Sequence, residues 1–185
     1  MKIKNTPGLS FEFLENGSLK NIDVDPIRIS LKPATPYSKS GANIWLRKRT
    51  GPFEYKALLG PESDSSFRVG ENAFIAKGNW AGLDYECVLQ LSKKSLSWQW
   101  SIDIKNLSDN IVELDVIYVQ DVGLKTVTDG LINEYYVSQY LERRILNDKN
   151  YGAVVCCRQN MKESNGNPWL MIACQTRGMS ASTDG

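Results

Sequence analysis

The sequence predicts an all-β fold, an antiparallel β-sandwich. Three observations predict it. Apolar and polar residues alternate in about a dozen short runs. Turn chemistry punctuates those runs. Only one stretch, 131–145, offers helical spacing.

The elements follow in order. Segments 9–14 (LSFEFL) and 19–24 (LKNIDV) flank Asn16-Gly17, a strong hairpin signal. Segment 27–31 (IRISL) alternates with period two. Segments 44–49 (IWLRKR) and 54–59 are separated by Thr50-Gly51-Pro52. Segments 72–77 (NAFIAK) and 85–91 (YECVLQL) flank a connection containing Gly78 and Gly82. The two clearest strands are 96–104 (LSWQWSIDI) and 111–119 (IVELDVIYV), joined by 106–110 (NLSDN) as a polar hairpin loop. In the first, Leu96, Trp98, Trp100, Ile102 and Ile104 share one face, so they are expected in the core. Further strands are expected at 151–157 and 169–175. In 131–145, Leu131, Tyr135, Ser138 and Leu141 fit a helix face, but Tyr-Val-Ser is equally compatible with extended chain. Segments 33–41 and 60–66 read as surface loops. No linker or repeat divides the chain, so 1–185 reads as a single β-sandwich domain or a fragment of a larger sandwich.

Composition narrows the function. Hydrophobic residues make up 42%, enough for a sizeable core and too many for a disordered chain. The net charge of +1 gives no basic excess of the kind nucleic acid calls for. The N-terminus has no apolar signal segment, and no run approaches the roughly 18 apolar residues of a membrane span. Four cysteines, Cys87, Cys156, Cys157 and Cys174, form no CxxC pair and read as free thiols of a cytoplasmic protein. The sequons at Asn16 and Asn106 read as turn chemistry. There is no histidine, which removes Ser-His-Asp and Cys-His catalysis and the commonest metal ligand. No metal or cofactor site is expected.

The densest polar–aromatic clusters are Asn133, Glu134, Tyr136 and Gln139, and Arg158, Gln159 and Asn160 followed by Trp169. Sugars present arrays of hydroxyls and a C–H face, which amides, carboxylates, arginine forks and flat rings match. These eight residues are the candidate carbohydrate contacts. Their alternative role is to tie loops to neighbouring domains. Asp103, Glu113 and Asp115 fall on outward strand phases and read as a solvated face, not a catalytic pair. Asp121 reads as a strand-end acceptor of backbone N–H groups. Arg47, Lys48, Arg49 and Lys56 suit either an anion site or a charged edge strand.

The blocks QDVGL (120–124), NEYYVSQYLE (133–142), CRQN (157–160), NPWL (167–170) and STDG (182–185) carry a resemblance. From about Trp98 onward the chain resembles the N-terminal region of glycoside hydrolase family 94 enzymes, the 1,2-β-oligoglucan phosphorylases and the phosphorylase-like region of cyclic β-1,2-glucan synthases. The resemblance implies a sandwich of the galactose mutarotase-like (supersandwich) type, incomplete at the C-terminus. It implies a parent enzyme that performs inverting phosphorolysis, with its catalytic acid in a helical barrel this chain does not contain. The expected role is a non-catalytic carbohydrate-binding or scaffolding domain; the alternative is a docking or dimerisation module. Expected partners are a β-glucan oligosaccharide, the catalytic barrel and further copies of the chain, with neither nucleic acid nor membrane. No residue here is assigned to catalysis.

Overall fold

A computed structural model describes residues 1–38, 41–175 and 179–183. Lys39 and Ser40 of the predicted loop 33–41, and Asp184 and Gly185 of the STDG block, lie outside the described residues. The chain order is β1 (Lys2–Lys4), β2 (Leu9–Phe13), β3 (Leu19–Val24), β4 (Ile27–Arg28), β5 (Ala42–Lys48), β6 (Glu54–Ala57), β7 (Ser66–Gly70), β8 (Ala73–Trp80) and β9 (Leu83–Leu91). It continues with β10 (Trp98–Asn106), β11 (Leu114–Gln120), β12 (Lys125–Thr126), α1 (Val127–Ile132), α2 (Glu134–Gln139), β13 (Leu141–Asp148), β14 (Gly152–Gln159) and β15 (Trp169–Ala173). Strands dominate, and every ladder that joins them within a unit is antiparallel, as the sequence predicts. The chain forms two compact units: Met1–Asp25 with Lys32–Asp121, and Pro26–Leu31 with Val122–Gly185.

The first unit is a sandwich. Strands β1-β2-β3 form one sheet, β10-β9-β8-β7 a second and β11-β5-β6 a third. Aromatic packing joins the first two face to face. Phe13 stacks on Phe74 with centroids 3.8 Å apart, and Phe11 meets Trp98 edge-on at 5.3 Å. Trp100 closes on Phe74 from the side at 6.5 Å. Trp98 and Trp100 therefore face inward as predicted, but they, Ile102 and Ile104 are only half-buried, and Leu96 lies outside the strand and is exposed. Strand β9 shows the period-two rule most clearly, burying Leu83, Tyr85, Cys87, Leu89 and Leu91 on one face. The buried Tyr85 hydroxyl finds Ser65 Oγ at 2.8 Å, as a buried phenol must find a partner. Burial pushes the Cys87 thiol pKa up to about 12, so it packs as an inert hydrophobe.

Turn chemistry sets the register. Gly17 has φ 76°, and a Cβ there would sit 2.3 Å from the Phe67 ring, so glycine is required on both counts. Both sequons serve turns: the Asn16 side-chain oxygen accepts from Ser18 N–H at 3.1 Å, and that of Asn106 from Ser108 N–H at 3.0 Å. Strand β8 runs through Gly78 to a two-residue turn at Ala81-Gly82, both with positive φ, which lengthens the predicted hairpin. The loop 106–110 does not close a hairpin. β10 pairs only with β9 along nine positions, while β11 pairs with β5, so the chain changes sheets there.

Cations of the 47–49 run are neutralised locally. Arg47 donates through Nε to Asp115 at 2.7 Å, and Arg49 approaches the same carboxylate at 3.7 Å. Lys48 pairs with Glu54, and Lys56 with Asp64. Hydrogen bonding from Arg47 holds the Asp115 carboxyl below the usual range. Arg47 and Lys48 lie on β5, the middle strand of its sheet, so the edge-strand expectation fails for them and holds for Lys56 on β6. Asp121 accepts the Lys32 backbone N–H at 2.8 Å at its strand end, in the structural role predicted for it.

In the second unit, β12 pairs with β4 and β13-β14-β15 form a three-stranded sheet. The ambiguous segment 131–145 divides at Asn133, whose extended backbone (φ −159°) ends α1, and whose side chain caps α2 by accepting Tyr136 N–H at 3.0 Å. The predicted helix face does not form: Leu131 and Tyr135 are 72% and 77% exposed, and Val137, at 1%, is the anchor instead. Beyond α2 the chain is strand.

The Phe13–Phe74 stack sits at the centre of the sandwich. Phe74→Ala is expected to lower the free energy of unfolding by about 3–5 kcal/mol, read from urea denaturation followed by tryptophan fluorescence.

Candidate functional site

The second unit brings four of the sequence blocks together around one side chain. Gln159 is 0% exposed. Its amide nitrogen donates to Gly123 O at 2.9 Å and Val137 O at 3.1 Å, and its amide oxygen accepts Met161 N–H at 3.0 Å. Its backbone carbonyl accepts Asn167 Nδ2 at 2.9 Å, and its N–H donates to Pro168 O at 3.1 Å. QDVGL, NEYYVSQYLE, CRQN and NPWL thus meet at Gln159. Its side chain is engaged by the protein and holds segments of its own unit together.

The other candidates are displayed by this hub. Alternation along β14 sends Arg158 to the face opposite Gln159, so the seven remaining candidates form two patches rather than one groove. On α2 and beyond, Tyr136 and Tyr140 meet edge-on at 4.9 Å, and the Tyr140 hydroxyl donates to that of Tyr136 at 3.3 Å. That hydrogen bond raises the Tyr140 pKa. Asn160 N–H donates to Tyr140 O at 2.9 Å, which seats exposed Asn160 beside the tyrosines. Asn133 and Gln139 are exposed on the same short helix, Asn133 being its cap, and Glu134 is half-buried in the first turn.

The second patch lies on the sheet. Register places Glu142, Arg158 and Trp169 side by side across the three strands. The Arg158 guanidinium lies over the Trp169 ring at 5.3 Å, and Trp169 is 62% exposed. Arg158 donates to Asn167 Oδ1 at 3.3 Å, and its buried Nε has no hydrogen-bond partner. A guanidinium beside a flat exposed ring is an arrangement that can address hydroxyls and a C–H face together.

Sequence reading missed an ion triad built on a buried lysine. Lys125, with a side chain only 7% exposed, pairs with Glu163 and lies 3.3 Å from Asp129. The only signal was the four-residue spacing of Lys125 and Asp129; Glu163 arrives from a distant loop. Burial disfavours the ammonium, but hydrogen bonds to Glu163 and Asp129 outweigh it and hold the Lys125 pKa above the usual lysine value. The Thr126 hydroxyl, with Lys125, holds the Asp129 pKa low. Among the described residues no group of three or more cysteine and carboxylate side chains is placed to hold a metal ion, and no helix is long and apolar enough to cross a membrane.

Antiparallel sheets, a buried amide hub and two displayed polar–aromatic patches define an all-β protein. The chain belongs to the SOGP N-terminal domain family, whose model matches residues 12–185. It is similar to a 1,2-beta-oligoglucan phosphorylase of Listeria innocua serovar 6a (strain ATCC BAA-680 / CLIP 11262), at 25% identity over 178 residues. The match covers 96% of this chain and 16% of that protein. The resemblance to the N-terminal region of family 94 enzymes is thereby supported along nearly the whole chain, not only from Trp98 onward.

Two outcomes follow. Gln159→Leu leaves the Gly123 and Val137 carbonyls without their donor, at about 1–3 kcal/mol for each buried group; urea denaturation is expected to show a loss of about 3–5 kcal/mol. The triad sets a pH window. A carboxyl depressed in the fold, as in Asp129, stabilises above its unfolded pKa of about 3.9 and loses that contribution as pH falls through its folded value. A raised ammonium, as in Lys125, stabilises below about 10.4 and loses that contribution as pH rises through its folded value. Lys125→Met is expected to remove the alkaline limb of the stability–pH curve, to weaken only partly the acid limb that the Thr126 hydroxyl still supports, and to cost about 3 kcal/mol near neutrality by unpairing Glu163.

Proposed function

We propose that the chain is a non-catalytic, carbohydrate-binding and scaffolding β-sandwich domain of a β-glucan-active glycoside phosphorylase. The parent enzyme performs inverting phosphorolysis of β-1,2-glucooligosaccharides, with the catalytic acid and phosphate site in a separate helical barrel. The domain works in the cytoplasm, where its thiols stay reduced and sugar phosphate is retained. The observation that carries the reading is the Arg158 guanidinium held over the exposed Trp169 ring. A pyranose ring can lay its C–H face on the indole while the guanidinium takes two hydroxyls. The Tyr136–Tyr140 pair, with Gln139 and Asn160 beside it, supplies a second surface of the same chemistry.

A second reading is favoured by one observation. Met171, 71% exposed, and Leu146 lie on the same sheet face as Trp169, so the face also has the apolar composition of a docking surface for the barrel or for another copy.

Titration of 1,2-β-glucooligosaccharides into the labelled protein distinguishes the two. Binding with a Kd of about 1 mM is expected, near 4 kcal/mol, weakened at least tenfold by Arg158→Ala or Tyr136→Ala without change of fold. No amide shift at high sugar concentration would leave the docking reading. The purified chain with oligosaccharide and phosphate is expected to release no sugar phosphate.

A further inference from the structure

A cavity of about 210 Å³ opens in the second unit between Pro26-Ile27 and the loop 163–168. None of its lining residues is among the candidate carbohydrate contacts. We propose that it seats one neutral hexopyranose ring, a terminal glucosyl residue of a β-glucan oligosaccharide. The inference rests on the reading above that the chain handles β-glucan, and it adds a site to that reading.

Size comes first. The cavity is smaller than the roughly 300 Å³ at which drug-sized pockets begin, so it takes a single ring rather than a chain. Its walls divide as a pyranose requires. Ile27, Pro26 and Pro168 give an apolar side for ring C–H groups, and Glu163, Ser164 and Asn165 give a polar side for hydroxyls. The side chains of Ser164 and Asn165 make no hydrogen bond among the described residues, so their donors and acceptors are available.

Charge selects the ligand class. Glu163 is compensated by Lys125, which also meets Asp129. One ammonium between two carboxylates leaves no positive excess for an anion such as phosphate. Hydroxyls, which donate to a carboxylate and accept from an amide, suit the site.

The site is also built before any ligand arrives. Glu163 and Gly166 exchange two backbone hydrogen bonds, at 2.9 and 3.0 Å, closing a tight hairpin whose Gly166 needs φ 106°. Asn167 and Pro168 then fasten the loop to Gln159. A fixed loop loses little freedom on binding.

The test is amide chemical-shift titration of the labelled chain with the 1,2-β-linked glucose disaccharide, and separately with inorganic phosphate. Ile27 and residues 163–167 are expected to shift with the disaccharide and not with phosphate. Asn165→Ala, at the hairpin tip, is expected to weaken binding at this loop about fivefold, and Ile27→Trp to abolish it by filling the cavity. If Ile27→Trp fails to fold, Asn165→Ala decides alone. Shifts at Tyr136 or Arg158 with none at the loop would overturn the cavity and leave the proposed function standing. Silence at all three places would overturn both. Shifts with phosphate at the loop would overturn the neutral-ring assignment.

Discussion

The carboxamide of Gln159 is the constraint on which the second unit depends. A side chain with no exposed surface reaches two carbonyls from separate segments and takes a backbone N–H from a third. The two carbonyl bonds are buried and have no water as a fallback, so loss of the carboxamide costs both at once. This explains why the segment after Gln120 carries short polar blocks rather than a long apolar pattern. The unit has two short helices and a three-stranded sheet, which give it less apolar surface to bury than the sandwich; Ile29, Val122, Leu124, Val137, Leu141, Cys156, Cys157 and Leu170 are its core among the described residues. A polar hub then does the positioning that a larger core does in the sandwich.

The sandwich of the first unit rests on the opposite principle. Its specificity comes from aromatic shape, with Phe11, Phe13, Phe74, Trp98 and Trp100 fixing how two sheets meet. The half-buried Tyr118 donates its hydroxyl to Gln120 at 2.6 Å, and desolvation pushes its pKa up. Charges stay on the surface and pair there, as Asp115 does with Arg47 and Arg49. Such pairs add little stability in water. They keep the edge strands β6 and β11 from presenting an uncharged face to other chains.

Much of the sandwich was legible because alternation is a local signal. The inward phase of β9 and β10 follows from residue order alone, and Asn16-Gly17 announces its turn. Partner choice is not local. Nothing in 106–110 distinguishes a hairpin from a change of sheets, since β10 and β11 would alternate identically in either case. The ambiguous segment was undecidable for a similar reason: Asn133 ends one helix and caps the next, and only its backbone angles separate them. At the candidate site the polar–aromatic blocks were visible, but their division was not. Gln159 sits between Arg158 and Asn160 in a polar run that reads as surface throughout. Its burial depends on carbonyls at Gly123 and Val137, 36 and 22 residues away. The Lys125–Glu163 pair was hidden in the same way.

The hub and the displayed residues are one design seen from two sides. Because β14 alternates, fixing Gln159 inward fixes Arg158 outward, and the ladder with β15 then sets Trp169 beside it. The Arg158–Trp169 pair is therefore positioned by strand register, which holds side chains more precisely than a loop does. The tyrosine patch is tied to the same hub through Val137 O and, one residue on, through Asn160 N–H to Tyr140 O. The loop that forms the cavity is tied to it through Asn167 and Pro168. Three surfaces that differ in shape and face thus share a single buried anchor. A disturbance at Gln159 reaches all of them, whereas a change at Trp169, Tyr136 or Asn165 stays local to its own surface.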